Sequence, residues 1–167
     1  MAKHGYESGR LNLPFVGHCT FAKAPIGPNL ADFEADFAVL GVSNDMGTQY
    51  RPGARFGPRG IREASTLFSF GHSGAYDFED DINYLPSSEV TIVDIGDVDI
   101  VHTDMEQSHA NTEQAVRQIL ATGATPIILG GEEGAERRLH SRAGAVASIP
   151  KPSRVVRVVR GVGRETI

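Results

Sequence analysis

Three short apolar runs divide the chain and predict its strands. They are "FAVLGV" at 37–42, "VTIVDIG" at 90–96 and "TPIILGG" at 125–131. Each run is continuous rather than alternating, which is typical of strands that are buried on both faces of a parallel sheet. We therefore predict that residues 37–42, 90–95 and 126–129 form neighbouring parallel strands.

One helix is predicted after the first strand. Pro58 suits the first position of a helix, and apolar residues then recur at helical spacing until Gly71. These residues are Ile61, Ala64, Leu67 and Phe68. The segment 71–88 is rich in acids and turn residues, so we predict a surface loop there.

A second helix is predicted between the second and third strands. Thr103 and Glu106 have the spacing of a capping box, and Gly123 can supply a left-handed stop. One helical face would carry Thr112, Val116, Ile119 and Leu120. Strands that alternate with helices predict an α/β fold with a parallel sheet, whose sites lie at the carboxyl ends of the strands.

Composition narrows the function classes. The chain has 167 residues, about one domain, and no apolar run long enough for a membrane span. Its first residues, "MAKHGYESGR", lack the apolar stretch of a secretory signal, so we expect a cytoplasmic protein without a membrane partner. The single cysteine, Cys19, can form neither an internal disulfide nor a CxxC zinc site.

Charge separates two segments of the chain. Residues 1–131 hold 8 Lys and Arg against 17 Asp and Glu, a net charge of −9, whereas residues 132–167 hold 8 against 4, a net charge of +4. Such a shift in composition indicates a boundary. We therefore divide the chain into a body, residues 1–131, and a basic tail, residues 132–167.

The stretch "GTQYRPGARFGP" at 47–58 follows the first predicted strand. Its three glycines and two prolines predict a tightly shaped loop. With Asn44 and Asp45 at the end of the strand, Tyr50 and Arg51 could form a polar rim that orients a substrate. Alternatively Arg55 and Arg62 only tie the loop down by pairing with backbone carbonyls or acids. Arg55 is expected to be partly buried and hydrogen-bonded.

Four stretches carry a resemblance to a known family. They are "DFAVLGVSNDMGTQYRPGARFGPRGIREAS" at 36–65, "IVDIGDVDI" at 92–100, "ATPIILGG" at 124–131 and "PFVGHCTFAKAP" at 14–25. Together they resemble the N-terminal part of the ureohydrolases, the arginase and agmatinase group, and especially the agmatinase-like or guanidino-acid hydrolase branch. The resemblance covers about residues 11–131.

The resemblance implies a three-layer α/β/α sandwich, incomplete here at its C-terminal side, in proteins that assemble as trimers or hexamers. It implies two manganese ions that activate a bridging hydroxide, which attacks a guanidinium carbon and releases urea. It also places His18 in an arm that lines the substrate mouth. Candidate substrate-binding residues are thus His18, Asn44, Asp45, Tyr50 and Arg51.

The chain departs from the family at its metal motifs. Where the family has "GGDHS", this chain has "GGEEG", which puts Glu133 at the position of a histidine ligand. Where "DAHxD" is expected, the chain has "SRVVRVVRG". Glu133 is therefore the sole candidate metal ligand, and we expect an aberrant, poorly packed tail and no hydrolysis by this chain alone.

Three function classes follow. The first is an agmatinase-like hydrolase of a linear guanidino compound, represented here by its N-terminal portion. The second is a catalytically inactive family member that acts as a partner subunit. The third, binding of nucleic acid or another anionic surface by the basic tail, ranks last, because the body is acidic and the tail has no aromatic residues for stacking.

Overall fold

A computed structural model describes residues 15–30, 32–68, 75–79, 81–84, 86 and 89–130. Its strands are β1 (Phe37–Gly41), β2 (Ala75–Asp77), β3 (Ile82–Tyr84), β4 (Ile92–Asp97) and β5 (Thr125–Leu129). Its α-helices are α1 (Gly57–Ser65) and α2 (Met105–Ala121). No helix of this described part has both the length and the apolarity needed to cross a membrane.

The main sheet has the order β4-β1-β5, and both pairs of strands are parallel. Phe37 pairs with Ile92 on one side and with Thr125 on the other. The three predicted strands are therefore confirmed as parallel neighbours. β1 is the central strand, and its residues from Ala38 onward are buried, as expected for a strand with neighbours on both sides.

Residues 15–27, which we call the arm, run up to the outer edge of β4. The amide of Gly27 donates to the carbonyl of Asp94 at 2.9 Å, and the amide of Asp94 donates to the carbonyl of Pro25 at 2.9 Å. These bonds form a parallel bridge between Ile26 and Asp94. The arm therefore covers part of this edge.

Helix α2 packs on one face of the sheet. Its buried residues follow a spacing of three and four: Ser108, Thr112, Ala115 and Ile119. Ala115 and Ile119 join the apolar core with alternate residues of β1, Ala38 and Leu40. A Cβ atom added to Gly41 would meet Pro58 of α1 at 3.0 Å, so α1 packs over the opposite face. Helices on both faces of a parallel sheet confirm the α/β/α layering.

The ends of the helices follow the sequence with one exception. Pro58 lies in the first turn of α1, and Gly123 adopts a positive φ of 89° after α2, as predicted. The predicted capping by Thr103 is wrong by one residue. Asp104 is the N-cap of α2, and its carboxylate accepts a hydrogen bond from the amide of Gln107 at 2.9 Å.

Two further predictions are wrong. The segment 71–88 is not wholly a loop, because β2 and β3 pair there as an antiparallel hairpin. The predicted apolar face of α1 is also wrong. Leu67 and Phe68, just beyond the helix, are exposed, and the buried positions of α1 are instead Pro58 and Arg62.

Candidate functional site at the carboxyl edge of the sheet

Asp45 shapes the loop that follows β1. Its side chain is buried, and its carboxylate accepts hydrogen bonds from the amide of Gly53 at 2.7 Å and from Nε of Arg55 at 2.6 Å. Its carbonyl accepts a further bond from the amide of Thr48 at 3.1 Å. Asp45 thus fixes both halves of the loop, and its carboxylate is directed into the loop itself.

The electrostatics of this pair agree with its geometry. The hydrogen bond from the Arg55 side chain lowers the pKa of Asp45. Desolvation by burial acts in the opposite direction, whereas the amides of Arg55 and Gly53 lower this pKa further. The Asp45 carboxylate in turn raises the pKa of Arg55. Arg55, which we expected to be partly buried and hydrogen-bonded, makes the expected hydrogen bond, and its side chain is 41% exposed.

Asn44 is also turned into the protein. It is 2% exposed, and its side-chain oxygen accepts a hydrogen bond from the amide of Met46 at 3.1 Å. This short-range bond is typical of an Asx turn at the end of a strand. In this conformation Asn44 supports the turn, as Asp45 does, and the two side chains present little surface to a ligand.

Tyr50 and Arg51 are the exposed part of the loop. Tyr50 is 77% exposed, and the guanidinium carbon of Arg51 lies 5.1 Å from the centre of its ring, within the range of a cation–π contact. Arg51 has a φ of 55°, a left-handed conformation that costs a non-glycine residue about 1 kcal/mol or more. The loop therefore exposes the side chains of Tyr50 and Arg51 to solvent.

The end of the loop lies beside the end of β5. A Cβ atom added to Gly130 would come within 2.6 Å of Cδ of Pro58, and Gly130 has a φ of 69°. Gly57 is also next to Gly130, with 3.9 Å between a Cβ atom added to Gly57 and the Cα atom of Gly130. The loop therefore leads to the same carboxyl rim of the sheet as the end of β5.

A buried ion-pair cluster lies behind this rim. Nε and one terminal nitrogen of Arg62 donate to the two carboxylate oxygens of Asp94 at 2.8 and 3.0 Å. Arg62 also donates to Asp97 at 2.6 Å and to the carbonyl of Gly96 at 2.8 Å. Burial lowers the pKa of Arg62, but the bonds to Asp94 and Asp97 outweigh it, and the net shift is upward.

The arm joins this cluster through its backbone. The amide of Phe21 donates to Asp94 at 2.7 Å, and the amide of Ala22 donates to Oγ of Ser65 at 2.8 Å. The ammonium of Lys23 is held by the carbonyls of Val16 and His18. The His18 side chain is exposed, and within the described ranges no hydrogen bond joins it to Tyr50 or Arg51.

The described residues do not fit a manganese centre. They contain no group of three or more His, Cys, Asp or Glu side chains that could hold a metal ion. The buried carboxylates of Asp45 and Asp94 are each bound by an arginine. Glu133, the candidate ligand, lies outside the described residues.

The Arg62 cluster is the part of this region that sequence reasoning missed as a unit. The sequence indicates only that Arg62 could pair with carbonyls or acids, and it does not indicate that Asp94 and Asp97 are those acids. A signal was present, because Arg62 follows Pro58 by four residues and so shares its face of α1. The acids of "DIGD" stand at the end of a buried strand, where an unpaired carboxylate would be costly.

Comparison with known proteins identifies the fold and the family. The chain superposes on proclavaminate amidino hydrolase from Streptomyces clavuligerus with a TM-score of 0.66 and 24% identity, over 79% of this chain and 41% of that one. The sequence profile of the Arginase family matches residues 35–155. The chain therefore belongs to the arginase family. This match begins later than the resemblance at 11–131 and runs on past Gly131.

Two curated relatives show which branch the chain is similar to. It is 37% identical to the mitochondrial guanidino acid hydrolase of Rattus norvegicus over 129 residues, 77% of this chain and 34% of that protein. It is 30% identical to the mitochondrial agmatinase of Gallus gallus over 117 residues, 70% of this chain and 32% of that protein. The chain thus spans about a third of the length of these relatives.

Proposed function

We propose that the chain supplies the first strands, the substrate-rim loop and the arm of an agmatinase-like ureohydrolase, which converts a linear guanidino compound to an amine and urea. Family membership and similarity to a guanidino acid hydrolase and an agmatinase support this proposal. The protein would act in the cytoplasm and would assemble as a homo-oligomer, as the resemblance implies. Exposed Tyr50 and Arg51 are the residues we assign to the substrate rim, with His18 of the arm as a further candidate.

We further propose that the 167-residue chain does not hydrolyse guanidino compounds by itself. The observation that carries this proposal is the pairing of the buried carboxylates: Arg55 holds Asp45, and Arg62 holds Asp94 and reaches Asp97. A cation in contact with a carboxylate competes directly with a metal ion for its oxygens. The manganese pair of the ureohydrolases would need ligands from outside the described residues, and Glu133 is a single candidate.

Isothermal titration with manganese, together with a urea assay on agmatine and guanidinobutyrate, tests this. We expect no two-site binding and no urea, and no rescue by Glu133→His, because that change restores one ligand of a two-metal site. Two metal ions bound per chain would contradict the proposal. So would manganese-dependent urea release that Glu133→Ala abolishes.

A second candidate function is that of a catalytically inactive partner subunit. The observation that favours it is the outer edge of β5, which pairs with no other strand of the described residues. An unpaired strand edge is a template for association with another chain. Size-exclusion chromatography coupled to light scattering would distinguish a chain that assembles from one that stays monomeric.

A further inference from the structure

Residues 16–24 of the arm, which we call the strap, are folded against themselves. The amide of Lys23 donates to the carbonyl of Thr20 at 3.1 Å. The ammonium of the same lysine donates to the carbonyl of Val16 and, at 2.9 Å, to that of His18. Lys23 thus ties the first residues of the strap to the last. Because these bonds lie within the strap, it can move as one body without losing them.

Hydrogen bonds from two consecutive amides anchor the strap to side chains of the main sheet and α1. The amide of Phe21 donates to Oδ2 of Asp94 at 2.7 Å, and the amide of Ala22 donates to Oγ of Ser65 at 2.8 Å. The rest of the arm is anchored differently, because residues 25–27 bond to the backbone of β4. This backbone bridge can therefore stay in place, as a hinge, when the two side-chain anchors break.

The strap buries little apolar surface. Within residues 16–24, all of which the structure describes, Ala24 is the one apolar side chain that is buried. Phe21 is half-buried, and Val16 is 40% exposed. Segments with few buried apolar contacts open locally, at a lower free energy than the unfolding of the whole protein. The docking of the strap therefore depends mainly on its polar anchors.

The anchored turn is also strained. Ala22 has a φ of 46° and Lys23 has a φ of 59°, both in the left-handed region that residues with a Cβ atom avoid. Strained backbone persists only where the surrounding structure holds it. The amide of Ala22 is itself an anchor, so the bond to Ser65 holds the strained turn in place. Opening of the strap would release this strain.

We propose that the strap opens as one unit about residues 25–27 and that the carboxylate of Asp94 is its catch. In the closed state, the Phe21 amide and Nε of Arg62 donate to the same oxygen, Oδ2 of Asp94. In the open state, this oxygen keeps Arg62 and exchanges the amide for water. Because the strap carries the exposed side chain of His18, its closing determines where that side chain lies. The inference does not require hydrolase activity, so its failure leaves the proposed function untouched.

Hydrogen exchange of the 167-residue chain, followed by NMR, tests the proposal. Ser65→Ala removes the acceptor of the Ala22 amide. We expect the amide of Phe21 to exchange about three- to tenfold faster in this variant, the factor that corresponds to one hydrogen bond. Its own acceptor, Asp94, is unchanged, so this effect requires that the two anchors break together. The amide of Gly27, which bonds to the backbone of β4, should keep its rate.

Ala22→Gly is a second variant, with the opposite expected sign. Glycine adopts a positive φ without the steric cost that alanine has, so the closed strap loses part of its strain. We expect the amide of Phe21 to exchange about threefold more slowly in this variant. An unchanged or faster rate would contradict the strained closed state on which the proposal rests.

Ser108→Ala is the matched serine control, because Ser108 is buried far along the chain in α2. It should speed the exchange of Leu40, in the central strand, and leave the rate of Phe21 unchanged. Equal acceleration of the two amides would overturn the proposal, because the strap would then open only when the whole protein unfolds. An unprotected Phe21 amide in the wild-type chain would overturn it too, as would a rate in Ser65→Ala that is unchanged at Phe21 or raised equally at Gly27.

Discussion

Replacement of Arg62 by methionine should destabilise the protein more than any other single change of a charged residue in α1. The variant removes four hydrogen bonds, three of them to carboxylates. Asp94, which is 2% exposed, then loses its cation. Removal of one partner of a buried ion pair costs about 3–5 kcal/mol. Asp94 keeps hydrogen bonds from the amides of Phe21 and Gly96, but its charge stays buried without a cation. Asp97 has a 41% exposed side chain and regains water, so most of the loss comes from Asp94.

The magnitude matters because domains of this size are stable by only about 5–15 kcal/mol. Urea denaturation followed by circular dichroism measures the change, and Arg59→Met is the control, since Arg59 lies exposed on the same helix. We expect less than about 0.5 kcal/mol for the control. A cost of Arg62→Met below about 1 kcal/mol would show that water or another group replaces the guanidinium and that the cluster is not what joins α1 to β4.

A double variant separates the loss of the Arg62 hydrogen bonds from the cost of leaving the Asp94 carboxylate buried without its cation. Arg62→Met combined with Asp94→Asn should recover part of the stability, because the buried carboxylate that has lost its cation is gone.

Three other predictions follow from the loop, the glycines and α2. The wild-type protein should lose stability as the pH falls from about 5 to 3, because Asp45 has a lowered pKa in the folded state, and this slope should diminish in Asp45→Asn; an unchanged slope would remove Asp45 as its source. Gly130→Ala should destabilise the protein by about 2 kcal/mol or more, because of backbone strain and the contact with Pro58. Gly60→Ala should stabilise it by about 0.5–1 kcal/mol, because Gly60 lies inside α1 with open space around it. Thermal melts in which both variants change alike would contradict this. Ser108→Ala should lower the free energy of unfolding by about 1–3 kcal/mol, because the buried hydroxyl accepts a hydrogen bond from the amide of Val101 at 3.0 Å. Chemical denaturation measures this change, and a neutral effect would mean that the amide of Val101 finds another acceptor.

The sequence predicted the strands well because a strand that is buried on both faces needs apolar residues at successive positions, and this pattern is local. The three strands lie where those runs occur, and α2 buries Thr112 and Ile119 as its periodicity indicated. The face of α1 was wrong for a physical reason. Its inward position is filled by Arg62, whose charge is neutralised by acids 32 and 35 residues further along the chain, and no local pattern contains that pairing.

The candidate site was predictable in place but not in detail. Glycine and proline spacing indicated a shaped loop after β1, and the structure has that loop at the carboxyl edge of the sheet. The roles of Asn44 and Asp45 as supports of the loop depend on hydrogen bonds to Met46, Gly53 and Arg55. The residue types alone suited both binding and support, so geometry was needed to distinguish them.

The central position of β1 imposes an order of events during synthesis. Phe37 pairs with Thr125, which is made 88 residues later. At typical translation rates of about 5–20 residues per second, the strand "FAVLG" waits roughly 4–18 s before its second partner strand exists. During that interval an apolar, uncharged strand is exposed on the nascent chain, so we expect yield in the cell to depend on chaperone capacity and on the speed of elongation between β1 and β5.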